Sequence, residues 1–313
     1  MLQAVREATA QQAGAVEVVP MAIHIGAEIH GVDLSRPLPP EHVRAVRAAL
    51  LRWKVVFFRD QSLDHRTHIA ASRQFGETTA GHVVYGSDGE FPQIYSVAKH
   101  RKANRLQGQA LFRPWSGWHT DITAAINPPA ASILRGDIVP PYGGDTQFTN
   151  LVAAYNALSP AMQKIVEGLR GLHRFAPPPG VDETPEYREL MRKRTLVSEH
   201  SLVRVHPETG ERALFVSPSF LKSIVGLAPR ESQVMLEFLW EHVVRPEFTV
   251  RFRWAPGSVA FWDNRATAHL APRDIFDSDF DRQFYRVTLL GDVPVGVDGQ
   301  PSTALEGEPI VAV

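Results

Sequence analysis

The 313-residue sequence contains no cysteine. This excludes a disulfide-stapled scaffold, a cysteine-ligated zinc ribbon, an iron–sulfur cluster and a thiolate nucleophile. It is compatible with a reducing compartment, and a cytoplasmic location is expected. An excess of charge of one sign is also missing. The 33 basic and 34 acidic residues leave a formal net charge of -1, which excludes a strongly basic nucleic-acid binder. No apolar run approaches the ~20 residues needed to cross a bilayer. The opening MLQAVREATAQQAGA lacks the apolar core of a signal peptide. No nucleic-acid or membrane partner is therefore expected. Nor is there a G-x-x-x-x-G-K-[ST], a G-x-G-x-x-G behind a strand, a G-x-S-x-G or an H-E-x-x-H. Phosphate-loop, Rossmann, α/β-hydrolase and zincin chemistries lose their main support. What remains, with 44% hydrophobic and 21% charged residues, is an ordinary folded chain.

Residues 1–16 are Gln/Ala-rich and read as a flexible N-terminus, 17–297 as a single domain and 298–313 as a C-terminal tail. Apolar residues at three- and four-residue spacing (Val43, Val46, Ala49, Leu50) predict a helix in PPEHVRAVRAALLRW. A second helix is predicted in DHRTHIAASRQFG, with Asp64 as N-cap and Gly76 as terminator. Further helices are expected over Leu151–Leu169, in PEYRELMRKR, and in PRESQVMLEFLWEHVV with Pro229 in its first turn. KVVFFRD, ASILRGDIV, DTQFTN, TVRFRW, PGSVAFWDN and FYRVTLLGD read as strands. LVRVHP and RALFVSP read as a hairpin around His206-Pro207-Glu208-Thr209-Gly210. Thr78 to Trp118 looks irregular, and a connection of that length points to function. Short strands dominate the second half. A mainly β barrel or sandwich with flanking helices is expected, not a doubly wound sheet.

Three segments carry candidate chemistry. In Trp118-His119-Thr120-Asp121, residues two apart on a strand would point the same way, setting an imidazole beside a carboxylate. Two histidines and one carboxylate on one face suit a non-haem Fe(II) centre with open positions. An ordinary surface or core pair is the alternative. A rival His-x-Glu at His206 and Glu208 sits in a Pro/Gly turn and is expected to face water. The second segment, Trp262 to His269, follows a strand and could bring a third ligand from a distant stretch. His269 could equally be a satisfied core histidine, one of 13 in the chain. Trp262, Asp263 and Asn264 are expected to brace the turn. The third is DRQFYRVTLLGD, where Arg282 and Arg286 share a strand face with Phe284 between them. Two interior guanidinium groups are costly unless they meet anions, and a carboxylate is a natural bidentate partner. An exposed strand face is the alternative.

Taken in order, GAEIHGVDLSRPL, VVFFRDQ, FGE, WHTD, NPPAASILR, VPPYGGDTQFTN, AAYNALSP, VRVHPETGER, WAPGSVAFWDNRATAH and RVTLLGD resemble the taurine dioxygenase (TauD/TfdA-like) family. The likeness runs from about residue 17 to about residue 296. It implies a double-stranded β-helix, the cupin-like jelly roll. It also implies an Fe(II)- and 2-oxoglutarate-dependent dioxygenase that uses O2 to hydroxylate a C–H bond of a small anionic substrate, releasing succinate and CO2. An organosulfonate or alkyl sulfate ester is the first substrate class. A carboxylate, such as an aryloxyalkanoate or an amino-acid derivative, is the second. A non-catalytic jelly-roll binding protein is opposed by the intact ligand set, and a structural zinc site by the lack of thiolates. Matched position by position, His119, Asp121 and His269 correspond to iron ligands, and Thr146 and Arg282 to contacts of 2-oxoglutarate. Arg286 corresponds to an arginine that reaches the substrate anion or, in some members, the cosubstrate, and His82 and Tyr85 to a histidine and a tyrosine that help hold the sulfonate of taurine. Trp115 stands where the taurine enzyme has a substrate-binding asparagine, which implies a larger, more aromatic far end of the pocket. The family's habits imply a homo-oligomer, dimer or tetramer.

Overall fold

The computed structural model describes residues 15–82, 86–87, 89–99, 113–175 and 195–313. Its helices begin and end where local chemistry dictates. The first, α1 (Pro40–Trp53), has proline at its first position, where a missing N–H costs nothing. It stops at Lys54, which turns left-handed at φ 67°. Asp64 opens α2 (His65–Arg73). Its carboxylate accepts from Thr67 N, and the Asp64 N–H donates to Thr67 Oγ1. The single helix expected over Leu151–Leu169 is instead two, α3 (Leu151–Asn156) and α4 (Pro160–Glu167). Pro160 cannot donate to a continuing ladder, and Ser159 Oγ caps the new helix by accepting from Met162 N. Behind Pro229, α5 (Pro229–Val243) runs as expected. The helix expected in PEYRELMRKR lies outside the described residues.

The main sheet has seven strands. Their order is β1 (Glu17–Pro20), β2 (Ala27–His30), β3 (Val55–Phe58), β13 (Val259–Asp263), β5 (Ala131–Ile138), β15 (Gln283–Leu289) and β4 (Tyr95–Ala98). β2 and β3 pair in parallel and the other neighbours antiparallel. β4 lies inside the stretch expected to be irregular; pairing with β15 holds it extended. Facing the main sheet is an antiparallel sheet of β12 (Thr249–Phe252), β6 (Thr146–Asn150) and β14 (Thr267–Leu270). A four-stranded sheet contains β11 (Leu221–Ile224), β7 (Arg170–Arg174), β8 (Val197–Ser201) and β17 (Thr303–Glu306). The expected hairpin is β9 (Val203–Val205) with β10 (Arg212–Leu214), joined at its far edge by β16 (Val295–Gly296).

Between the seven-stranded and three-stranded sheets lie Phe57, Phe148, Phe252, Trp254, Trp262 and Phe284. Phe57 stacks on Phe252 at 4.0 Å and Phe148 meets Trp262 at 5.5 Å. Rings of this size each bury ~150–250 Å², worth roughly 4–6 kcal/mol as an upper bound, so this layer is a stiff floor. Opposed sheets closed over a shared core, with helices outside, make the fold a double-stranded β-helix. Residues 298–313 are bound to its body: β17 pairs with β8 and Ile310 is buried.

One polar knot corrects the expectation for the hairpin turn. His206 is 1% exposed and does not face water. Its Nε2 lies 3.0 Å from Asp263 Oδ2 at the end of β13. Arg265 also donates to both Asp263 oxygens, and its Nη1 reaches Glu208 at 2.6 Å. A buried carboxylate would be costly alone; here a histidine and a guanidinium satisfy it. The knot fixes the tight turn between β13 and β14, and β14 carries His269.

Candidate metal centre

His269 sits on β14 with His119 beside it. The His119 N–H donates to His269 O at 2.9 Å and the His269 N–H to His119 O at 2.7 Å. His119 is thus a one-residue antiparallel extension of the three-stranded sheet. The expected strand through Asp121 does not continue. The chain turns at Asp121, and Ile122 takes φ 46°. The two side chains still converge, because the residues beside them are anchored elsewhere. Trp118 is buried in the core under α3 and α5, and Thr120 Oγ1 donates to Thr267 O at 2.7 Å. His119, Asp121 and His269 each offer a ligand atom, and these atoms lie within 4.8 Å of one another.

The environment sets the protonation that a cation needs. His119 Nδ1 lies 3.0 Å from Gly117 O. A carbonyl can only accept, so Nδ1 carries a hydrogen and Nε2 is the ring atom left to face a cation. Gly117 has φ 85°, a left-handed backbone that glycine adopts without strain, and Leu270 Cδ1 packs where a Cβ would stand. Burial pushes His269 down to about 3 with His119 adding to it and Asp121 opposing, so the imidazole is neutral. Asp121 is 2% exposed. Burial alone would raise its pKa, but Arg286, His269, His119 and the Ser132 hydroxyl together hold the carboxyl well below the usual carboxylate range. The set is two imidazoles and one carboxylate, with no thiolate. That donor chemistry suits a ferrous ion with open positions and not a closed structural zinc.

Arg282, just before β15, is 7% exposed, lies over the Phe284 ring at 3.8 Å, and donates from Nε to Gly144 O at 3.2 Å. Burial lowers it to about 10, against the pull of Asp274 and Asp145, so it stays cationic at neutral pH. Among the described residues no carboxylate forms an ion pair with it. Such a group calls for an external anion, and the distal carboxylate of a dicarboxylic keto acid fits. Thr146 Oγ1, on β6, accepts from Trp254 Nε1 at 3.0 Å, which leaves its own proton free to donate.

Arg286 is 8% exposed, and its Nη1 donates to Asp121 Oδ1 at 2.5 Å. One ring stands beside it, and two more follow in sequence of contact. Its guanidinium lies 5.2 Å from the Tyr95 ring, Tyr95 is 4.8 Å from His82, and His82 is 6.3 Å from Phe175. Phe175 shares an apolar cluster with Ile122, the residue after Asp121. Arg282, Phe284 and Arg286 therefore do share one buried face, as their spacing implied. Tyr85 lies outside the described residues. Trp115 is half-buried in a turn closed by Trp118 N donating to Trp115 O, with its ring 6.1 Å from Trp240 of α5. The fold groups it with α5 and not with Arg286. Sequence reasoning missed Ser132, Trp254, Gly144, Tyr95 and Phe175. No local spacing announces them; strand register brings them in.

Over residues 17–288 the chain matches the family described as "Taurine catabolism dioxygenase TauD, TfdA family". It is 40% identical over 303 residues to a Pseudomonas putida protein named alpha-ketoglutarate-dependent sulfate ester dioxygenase, covering 94% of this chain and 96% of that one. An alkylsulfatase of Acinetobacter baylyi is 37% identical over 287 residues, covering 88% of this chain and 85% of that one. A crystal structure described as a taurine dioxygenase from Burkholderia xenovorans superposes with TM-score 0.84 at 62% identity, over 94% of this chain and 96% of that chain.

Proposed function

Because the chain belongs to the TauD, TfdA family and is an Fe(II)- and 2-oxoglutarate-dependent dioxygenase that consumes O2, we propose that its substrate is an alkyl sulfate ester. In this reading His119, Asp121 and His269 hold the iron, and Arg282 with Thr146 orients 2-oxoglutarate. The bound iron and keto acid supply the oxidising chemistry, with succinate and CO2 as the cosubstrate's products. The chain contributes binding, orientation and exclusion of water. Arg286, with His82 and Tyr85, takes the sulfate. Fixing the anion there turns the carbon next to the ester oxygen towards the metal. Hydroxylation at that carbon gives a hemiacetal sulfate, which expels hydrogen sulfate and leaves an aldehyde.

The observation that carries this choice is the wall beside Arg286. Tyr95 stands beside Arg286 and packs on His82, and His82 meets Phe175, which shares an apolar cluster with Ile122. Such apolar packing suits a hydrocarbon chain, whereas the primary ammonium group of taurine needs hydrogen-bond acceptors that ring carbons do not supply. The test is succinate and sulfate release with Fe(II), 2-oxoglutarate and air, using hexyl sulfate, hexanesulfonate, taurine and phenoxyacetate. Hexyl sulfate is expected to give succinate and sulfate in equal amounts, well above the substrate-free rate. Turnover of taurine or phenoxyacetate with none of hexyl sulfate overturns the assignment. A cytoplasmic location and a homodimeric or homotetrameric state complete the proposal. They draw on the cysteine-free chain and on family habit; light scattering tests the oligomer. No helix among the described residues is long and apolar enough to cross a membrane.

A further inference from the structure

Asp121 uses its two carboxylate oxygens differently. Oδ1 is the oxygen 3.9 Å from His269 Nε2, and it also receives Arg286 Nη1. Oδ2 accepts from Ser132 Oγ at 2.7 Å. Ser132 lies on β5, fully buried, directly opposite Trp262 in the register with β13. Asn264, one residue beyond β13, sends Nδ2 to Ser132 Oγ at 2.9 Å, and Trp262 Nε1 reaches Asn264 Oδ1 at 2.9 Å. Trp262 and Asn264 are each 1% exposed.

The direction of every bond in this chain is forced. An indole N–H can only donate, so the Asn264 atom facing it must be the oxygen. The Asn264 amide nitrogen then faces Ser132, whose oxygen must accept. A serine hydroxyl has one hydrogen, and with its oxygen occupied by the amide that hydrogen is left for Asp121 Oδ2. Each donor is polarised by the one behind it. The anchor is a bulky indole locked in the aromatic core against Phe148 and His269.

We propose that Trp262, Asn264 and Ser132 form a directional clamp that occupies Asp121 Oδ2 and presents Oδ1 alone to the metal. They are positioning residues: none is a ligand, and all act through Asp121. The same β13–β14 turn delivers His269, so one short segment sets two of the three donors. The assignment rests on the metal site only and is independent of which anion the enzyme oxidises. Removing hydrogen-bond partners behind metal ligands typically weakens metal binding or activity ~10–100-fold.

The test is anaerobic Fe(II) and Mn(II) titration of the full-length protein, read as a dissociation constant at a temperature where every variant is folded. Ser132→Ala is expected to weaken metal binding at least ~10-fold. Ser132→Thr, which keeps the hydroxyl, is expected to recover most of it. Asn264→Ala should weaken binding alone but add nothing further in the Ser132→Ala background, because it acts only through the hydroxyl. With substrate present, succinate formation should exceed product formation in the same variants and not in the threonine one. If the alanine protein does not fold, Ser132→Cys keeps the volume with a weak donor and should fall between alanine and wild type. Metal affinity within twofold of wild type in folded Ser132→Ala, or additive losses in the double variant, overturns the clamp. Failure to turn over any sulfate ester while these affinities shift as stated would overturn the substrate assignment alone.

Discussion

Three side chains at the metal position are held in three ways: His119 by a carbonyl, Asp121 by a hydroxyl and a guanidinium, and His269 by packing against Trp262 and Phe148. Among the described residues no carboxylate forms an ion pair with Arg282, and its proposed contact with 2-oxoglutarate gives a sharp prediction. Arg282→Ala should raise the KM for 2-oxoglutarate at least ~30-fold, since truncating one partner of a buried charged pair costs about 2 kcal/mol or more. Metal affinity should stay near wild type, and an unchanged KM would remove Arg282 from the cosubstrate site. The ligand residues were legible because short spacings carry them: His-x-Asp, the run ending at His269, and two arginines four apart. The partners of those residues were not legible. Ser132 is 11 positions from Asp121 and 132 from Asn264, and only the β5–β13 register joins them.

The β13–β14 turn is the element on which the centre depends. Asp263 at its start is fully buried and satisfied by His206 and Arg265. Breaking a buried pair by removing one partner costs about 3–5 kcal/mol, because the other charge stays behind. Asp263→Ala should therefore lower unfolding free energy by about 3 kcal/mol or more in urea titration. It should also weaken the metal site through His269. A loss below about 1 kcal/mol would mean the knot contributes little beyond a surface ion pair. At this scale most strands and α1, α2 and α5 follow from periodicity and caps. The break at Pro160 was signalled by Ser159-Pro160 itself, an N-cap followed by a residue that cannot extend a helix. β4 carried no such signal. Its extended form comes from β15, whose sequence is remote. Nor did the Pro/Gly composition of the turn at His206 reveal that its imidazole is drawn inward by Asp263.

For the whole molecule, buried titratable groups set the response to acid. Burial pushes His68 and His200 down to about 3. An unfolded chain binds those protons near pH 6.5, while the folded chain refuses them until about pH 3, so stability falls as pH drops between those values. Each histidine contributes a slope of up to ~1.4 kcal/mol per pH unit there. Asp121 and Asp263 are held ionised, so their share is present at neutral pH and is lost below about pH 4 as the unfolded carboxylates protonate. The urea midpoint should decline from pH 6.5 and steepen below about 4; a flat profile from pH 7 to 4 would contradict the buried, neutral histidines. At this scale the jelly roll gathers residues 119, 121 and 269 within reach of one cation. Anaerobic Fe(II) titration of wild type and of His119→Ala, Asp121→Ala and His269→Ala tests it most directly. One equivalent should bind to the wild-type chain, with affinity falling more than ~100-fold in each variant, beyond the loss expected for an outer partner. Wild-type affinity in any one of the three would contradict the shared site.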